Sequence, residues 1–460
     1  MKLFFINLSS CLLCLLPVAL ISGPLFSDLF VSLISIFFII LYFKEKLWKY
    51  YNNIFFKIFI VFYFYIFLGS FFTEKPSLSF ESSLFYFRFG IFSVATWYLL
   101  EENKKLLKYF YKSMLITFIF LIFDSYVQFT FGKNMLGIEI PLNDTGQPMS
   151  TITGLFGNEQ VLGSYLSKLF PFFSALIFLH LKDKYTLYQL LIFVSITVLI
   201  FLSGSRSSMA YHILSILFIV FFTYKRKFFF INLSIISLII ILAINFNNPQ
   251  YVKRIKTSFV DIGISKLDDY DKSKNSQIKK NVKLYTSPRH GLEFGIGENK
   301  GIYWISPTYH SHLKTAYLMY KDSPIFGQGV KMFRYLCSDV KFKNFTDFGL
   351  HNYRNDYNNG CSTHPHNTHI QFLAETGIIG YFFLILALFY VLFCALRQSI
   401  SILKKRELPF NNHQICLLGG FFIILWPLGS SGNFFNNWLS IIYYLPVGFY
   451  LYFSNFKKKT

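Results

Sequence analysis

The sequence predicts an all-α polytopic membrane protein of about 12 transmembrane helices, with a large extracytoplasmic loop domain between helices 9 and 10. Its 460 residues are 53% hydrophobic and 21% aromatic, with a mean hydropathy of +0.44, more apolar surface than one soluble core can absorb. The apolar residues gather in blocks near the roughly 20 that a helix needs to cross a bilayer. The basic residues between the blocks follow an alternating pattern, which fixes an orientation.

The blocks run over residues 4–22, 27–43, 54–72, 83–100, 109–130, 159–180, 186–203, 208–224, 228–245, 370–396, 413–430 and 439–454. Short cytoplasmic loops retain Lys and Arg. One alternating set of segments holds Lys2; Lys44, Lys46, Lys49 and Lys57; Lys104, Lys105, Lys108 and Lys112; Lys182 and Lys184; Lys225, Arg226 and Lys227; Arg397, Lys404, Lys405 and Arg406; and Lys457, Lys458 and Lys459. Those are 21 basic residues, against Lys75, Lys133 and Arg206 in the opposite short loops. Both termini are thereby predicted to be cytoplasmic. Residues 1 to 22 look like a signal peptide, yet removing them would invert the next loops, so they are read as a retained first span. The formal net charge of +21 is then an orientation signal toward anionic lipid, and gives no support to nucleic-acid binding.

Residues 1–245 form the membrane domain with helices 1–9, residues 246–369 the loop domain, and residues 370–460 helices 10–12. The loop has 124 residues, 18 basic and 10 acidic, and holds seven of the ten histidines. Connections of this length are usually functional or disordered. Asp268–Lys283 is poor in apolar residues and is read as mobile. From Tyr309 to Asp322, Leu313, Ala316, Tyr317 and Tyr320 recur at helical spacing, with His310, Lys314 and Lys321 on another face, which predicts a short amphipathic helix packed on the membrane domain. A turn follows at Pro324, Gly327 and Gly329. Cys11 and Cys14 lie in an apolar span and are read as core residues, whereas Cys337 and Cys361 share the outer loop, where a disulfide is open to them.

Ionisable groups within spans are expensive, and are paired or functional. Arg88 lies one turn inside the outer end of the fourth span. Lys168 follows Gly154-Leu155-Phe156-Gly157-Asn158-Glu159 in the sixth, and Arg206 stands in Leu-Ser-Gly-Ser-Arg-Ser-Ser between the seventh and eighth. Each has an ordinary explanation in snorkelling or in pairing with a carboxylate such as Asp124. For Lys168 that explanation is preferred. Arg206 differs, because small neighbours expose backbone amides and a helix N-terminus beside a planar fork of donors, a combination suited to phosphate.

The most informative segment is Cys-Ser-Thr-His-Pro-His-Asn-Thr-His-Ile-Gln-Phe-Leu-Ala-Glu-Thr-Gly-Ile-Ile-Gly at 361–380, which sets His364, His366 and His369 at the mouth of an apolar helix. Pro365 biases His364 toward extended backbone, and Asn367 is a good helix cap, so the tenth helix should begin there with its positive dipole end outward. A neutral imidazole at His366 is suited to accept a proton from an approaching hydroxyl. Zinc binding and a merely interfacial polar role compete, and no tight carboxylate or Cys pair completes a zinc set.

The run from His364 to Gly380 resembles the hallmark of the O-antigen ligase and polymerase family of bacterial envelope glycosyltransferases. So do residues 202–208, Gly-Leu-Phe-Gly-Asn-Glu at 154–159, and Met-Tyr-Lys-Asp-Ser-Pro-Ile-Phe-Gly-Gln-Gly at 319–329, over roughly residues 80 to 430. The resemblance implies a metal-independent, cofactor-free enzyme of the bacterial inner membrane. Such an enzyme takes a glycan from undecaprenyl pyrophosphate at the periplasmic face and joins it to an acceptor hydroxyl. Ligases use the lipid A core, polymerases a second carrier-linked glycan.

The resemblance puts the catalytic His at His366 and a pyrophosphate-binding Arg at Arg206. Many members carry a second loop Arg ahead of the Asp-x-Pro-x-x-Gly turn, where this chain has Tyr309, His310, Ser311 and His312. Arg289, His310, His312 and Arg334 are the substitutes, with His312 and Arg334 preferred. Arg88 is a further candidate for the pyrophosphate, and His364, Asn367 and His310 are supporting residues. Cations at a partly dehydrated site would compensate the leaving group while His366 deprotonates the acceptor, with inversion as the outcome. A polysaccharide transporter or flippase is the rival from another class. It is disfavoured because its ionisable residues would lie near the midplane within inverted repeats, and no repeat is visible.

Overall fold

The computed structural model describes residues 1–141, 151–180, 187–223, 227–247, 284–287, 292–295, 307–342 and 360–456. Helices α1 (Lys2–Ser22), α2 (Pro24–Glu45), α3 (Trp48–Tyr51), α4 (Ile54–Gly69), α5 (Pro76–Leu84), α6 (Phe87–Glu102) and α7 (Leu106–Phe131) open the chain. Next come α8 (Leu162–His180), α9 (Leu187–Leu202), α10 (Arg206–Phe222) and α11 (Lys227–Asn247). The loop contributes α12 (Pro307–Asp322) and the single turn α13 (Phe333–Leu336), and α14 (Thr368–Leu403), α15 (Asn412–Ile424) and α16 (Asn437–Phe456) close the chain.

Every apolar block of the sequence contains a helix, although the eleventh, 413–430, runs past the end of α15 at Ile424. Among the described residues eight helical segments are long and apolar enough to cross a membrane by length and composition, Ile54–Phe72 and Pro76–Glu102 being counted as one segment each. Leu187–Leu202, Arg206–Phe222 and Asn412–Ile424 are shorter apolar helices. The chain is an all-α, multi-pass membrane protein. A two-stranded antiparallel hairpin in the loop, Leu284–Ser287 paired with Leu292–Gly295, is an addition the sequence reading did not place. Asp268–Lys283 lies outside the described residues.

Local chemistry sets the boundaries. Pro24 opens α2 and Pro76 opens α5, where a missing N–H costs nothing. Asn53 caps α4 by accepting from Phe56 N at 2.9 Å, and α7 stops at Gly132, whose φ of 77° is left-handed. Asn411 and Gln414 form a capping box at the start of α15.

At the centre stands α8, in which every residue from Leu162 to Phe178 except Ser164 is buried. It packs against α15, α10 and α9, while α16 packs on α6 and α1 on α2. Lipid tails are as apolar as these side chains, so tight packing rather than water exclusion holds such helices together. Phe172 and Phe449 meet edge-on at 4.8 Å, and Phe118 stacks on Phe173 at 4.4 Å. By contrast α11 leaves Leu238, Ile239 and Leu242 exposed, the lipid-facing pattern.

Above the bundle α12 packs on α14 and closes a small core of Ala316, Met319, Met332, Phe333, Leu336, Phe342 and Ala374. The helix is where the sequence put it, but its buried face is rotated. Ser311, His312, Thr315, Ala316 and Met319 point inward, while Leu313 and Tyr320 are half-buried and Tyr317 is exposed. Small side chains permit close approach, and the polar ones find carbonyl partners inside: His312 at Gly360, Thr315 at Phe342. The two tyrosines keep their rings at the rim.

The turn at 323–329 docks into a break in α14. Gly377 departs from helical geometry, with φ 63° and ψ −170°. Ala374 and Glu375 carbonyls, freed by the break, accept from Gln328 N at 2.9 Å and Gly329 N at 2.8 Å, and Ile378 N donates to Pro324 O at 2.9 Å. The backbones approach so closely that a β-carbon at Gly327 would lie 2.5 Å from Glu375 C, and one at Gly377 2.2 Å from Ile325 O. Only glycine serves at either position.

Cys337 and Cys361 form a disulfide, tying the end of α13 to the residue that opens the histidine segment. Cys11 and Cys14 are unpaired, and Cys11 is exposed rather than in the core.

Candidate active site

Asn367 organises the start of α14. Its extended backbone lets the side-chain oxygen accept from His369 N at 3.0 Å and Ile370 N at 3.1 Å. Its amide then donates to Pro427 O at 2.7 Å and Gly429 O at 3.2 Å, fastening the helix to the 427–433 loop between α15 and α16. One residue earlier, His366 has a left-handed φ of 59°, which for a side chain of this size costs about 1–3 kcal/mol and persists only where surroundings enforce it. The enforcement is visible: Ser431 N donates to His366 O at 2.9 Å.

His364 Nε2 lies 3.1 Å from Ser431 O, and a carbonyl can only accept, so Nε2 carries the proton and Nδ1 accepts from Thr363 Oγ1 at 3.0 Å. By the same argument His312 donates from Nδ1 to Gly360 O at 3.0 Å, leaving Nε2 as an acceptor. Ring centroids put His366 4.1 Å from His364 and 5.4 Å from His312. Three imidazoles from two elements thus meet in one cluster. His369 is not of this set. Its Nε2 donates to Leu425 O at 2.9 Å and its Nδ1 faces Tyr381 Oη at 3.2 Å, so both nitrogens brace helices.

Burial pushes His366 down to about 3, and the neighbouring His364 and His312 add to the shift. Burial likewise pushes His364 down to about 4, with Arg334 and His312 adding and the Ser431 hydrogen bond opposing. His312 also sits below the ordinary imidazole range through burial. All three are neutral at physiological pH, able to accept protons but unable to act as fixed cations.

Charge is supplied from the side. Arg334 is exposed on α13 and near enough to act on His364 and on Lys331, a residue the sequence reading passed over. Lys331 has a left-handed φ of 60°, and burial, Arg334 and Arg88 lower its pKa against the carboxylates of Glu375 and Asp28. Glu375 accepts from Phe333 N at 3.2 Å and from Gln371 Nε2 at 2.9 Å, and Gln371 accepts from Phe434 N at 3.0 Å. One polar chain therefore joins α13, α14 and the loop before α16.

Arg88 is committed to an ion pair. Its Nη2 and Nε lie 2.6 and 3.2 Å from Asp28 Oδ1, and Asp28 Oδ2 accepts from Asn437 Nδ2 at 3.3 Å. The carboxylate partner is Asp28 and not Asp124, which accepts from Asn134 Nδ2 and Met135 N instead. Arg206 is the first residue of α10, capped by Ser205, which accepts from Ser208 N at 3.3 Å. The same helix reaches the 427–433 loop through Tyr211 Oη, which donates to Ser430 O at 3.1 Å. His310 is in the first turn of α12, and its side chain, like Arg289, lies outside the described residues.

The 427–433 loop, contacted by α10, by α14 and by the histidine segment, was missed in the sequence. Its signal was the small polar run Gly-Ser-Ser-Gly-Asn at 429–433, which was absorbed in part into the eleventh apolar block. Among the described residues no three His, Cys, Asp or Glu side chains are arranged to hold a metal ion.

Residues 191–385 match the family model described as O-antigen ligase. Over these residues the chain is similar to the O-antigen ligase family. The matched segment runs from α9 into α14 and contains Arg206, His312, Arg334, His364 and His366, so the cluster lies within the part of the chain that carries the family likeness. Enzymes of this family are membrane glycosyltransferases of ligase or polymerase type that act on lipid-linked glycans. No curated protein matches the chain.

Proposed function

We propose that this chain transfers a glycan from undecaprenyl pyrophosphate to a hydroxyl of the lipid A core, at the periplasmic face of the bacterial inner membrane. The observation that carries the reading is the neutral imidazole of His366, held in left-handed backbone at the mouth of α14 beside His364 and His312. In this reading the acceptor oxygen attacks the anomeric carbon as its proton passes to His366. The bond from that carbon to the diphosphate oxygen breaks, and its electron pair leaves with undecaprenyl pyrophosphate. Attack opposite the leaving group inverts the anomeric centre.

Pyrophosphate leaves readily once its charge is met, so the site needs cations more than a general acid. Arg206 at the head of α10 and Arg334 on α13 take that role. His312 and Arg88 are weaker contributors, because burial keeps His312 neutral and Asp28 already balances Arg88. Bound diphosphate would also raise the basicity of His366, since negative charge nearby favours the imidazolium.

Deleting the gene and resolving the envelope polysaccharide on a gel tests the reading. Full-length chains left on the carrier with a bare core support the ligase. A single repeat unit on the core marks a polymerase that joins carrier-linked units, and unprocessed units inside the cytoplasm mark a flippase. Transfer by the purified enzyme in EDTA tests metal independence: lost activity that zinc restores would make the histidines ligands.

A further inference from the structure

Lys168 is a buried cation without a counter-charge. Only 8% of the residue is exposed, and its ammonium donates to Ser164 Oγ one turn nearer the start of α8. No carboxylate lies within ion-pair distance of it among the described residues. A snorkelling lysine would carry its head out to water, and this one does not. Its head also points toward the N-terminus of α8, whose own partial charge is positive and repels it. An isolated buried ammonium of this kind is costly unless an anion arrives to balance it.

The register of α8 fixes where that anion would lie. Gly163 packs against Ser203 and Ser208, the segment that leads into Arg206 and α10. Pro171 packs on Gly420 of α15, Tyr165 faces Trp438 of α16 at 6.2 Å, and Phe172 meets Phe449 of α16 at 4.8 Å. At 100° per residue Lys168 falls between the α15 and α16 faces. Because Tyr165 meets Trp438 at the start of α16, Lys168 stands about one turn below the loop that joins those two helices and receives His364, His366 and Asn367, and about 140° round α8 from the Gly163 face that meets α10.

We infer that Lys168 forms the inner wall of an anion site for the diphosphate of the lipid-linked donor, opposite Arg206. The inference rests on the transferase reading and deepens it. One phosphate pairs with the Arg206 fork, and the other replaces Ser164 as the principal partner of the ammonium.

The test uses the full-length protein purified in neutral detergent, as wild type, Lys168→Met, Lys168→Gln, Lys168→Arg and Arg206→Ala. Each is titrated with undecaprenyl pyrophosphate and separately with phosphatidylglycerol, reading tryptophan fluorescence and melting temperature. Without ligand, Lys168→Met and Lys168→Gln should melt no lower than wild type, because each removes an unbalanced charge. Their affinity for undecaprenyl pyrophosphate should fall about tenfold or more, the usual worth of a charge-assisted hydrogen bond, while Lys168→Arg stays close to wild type.

Unchanged affinity in Lys168→Met and Lys168→Gln overturns the inference, as does a lower melting temperature or failed folding in both, which would mean the ammonium is already balanced. Equal losses for undecaprenyl pyrophosphate and phosphatidylglycerol would make it a general anionic-lipid contact and overturn it as well. Wild type that binds no undecaprenyl pyrophosphate removes the transferase reading and this inference together. Weakened Arg206→Ala beside unaffected lysine variants removes the inference alone.

Discussion

His366 and His364 stand with their ring centroids 4.1 Å apart, one backbone in left-handed conformation and the other anchored through Nε2 to Ser431 O. That division of labour predicts unequal mutants. His366→Ala should fold and still bind the carrier-linked glycan, yet transfer it at least ~100-fold more slowly, the usual worth of a general base. His364→Ala and His369→Ala should be milder. Single-turnover assays on purified protein read the difference, and normal transfer by His366→Ala would remove it as base.

Replacing Arg206 with Lys should impair transfer, since an ammonium keeps the charge but loses the planar two-pronged grip on phosphate. Arg206→Ala should be worse. A correctly inserted Arg206→Ala enzyme that binds carrier and transfers normally would take the residue out of the phosphate site.

The histidine cluster makes stability depend on pH in a definite direction. His366 and His364 fall from the ordinary value near 6.5 to about 3 and about 4 on folding, so the unfolded chain binds more protons between those limits. Their contribution is whole above pH 6.5 and is lost as the pH falls toward 3. Melting temperature should therefore drop from pH 7 to pH 5, and a His364→Gln, His366→Gln double variant should flatten the slope. An identical slope in that variant would mean the imidazoles are not buried neutral in solution.

Gly377→Ala should destabilise the loop domain by about 1–3 kcal/mol through its left-handed φ, before adding the clash with Ile325 O. Gly327→Ala should behave alike, and the double variant should cost less than the sum because both break one contact. Limited proteolysis of the 307–342 segment would detect the loosening.

Reducing agent, or Cys337→Ser with Cys361→Ser, should lower stability by about 2–4 kcal/mol, since the bridge closes a loop with a sequence separation of 24. Thermal unfolding with and without reductant measures it. Insensitivity would mean the two sulfurs are not joined in the cell-derived protein.

The helices were legible because bilayer thickness leaves a long apolar signature, and Asn367 was legible as a cap because capping is local chemistry. The face of α12 was not. Helical spacing groups Leu313 with Tyr317 and Tyr320, but which stripe turns inward depended on carbonyls at Gly360 and Phe342 that no local pattern announces. Lys331 was invisible for a similar reason. Its environment is made by Arg334, Glu375, Arg88 and Asp28, drawn from positions 28 to 375 of the chain. The loop at 427–433 carried a readable Gly and Ser signal, but its meaning as the partner of the histidine segment is purely tertiary.

The interlock of 323–329 with the break at Gly377 has a consequence for anyone transplanting this loop between related enzymes. Residues 322–329 and 374–379 complete each other's backbone hydrogen bonds, so a chimera that carries one without the other inherits half of a joint. Exchange of specificity between relatives should succeed when the graft boundaries fall outside both stretches and fail when they fall between them.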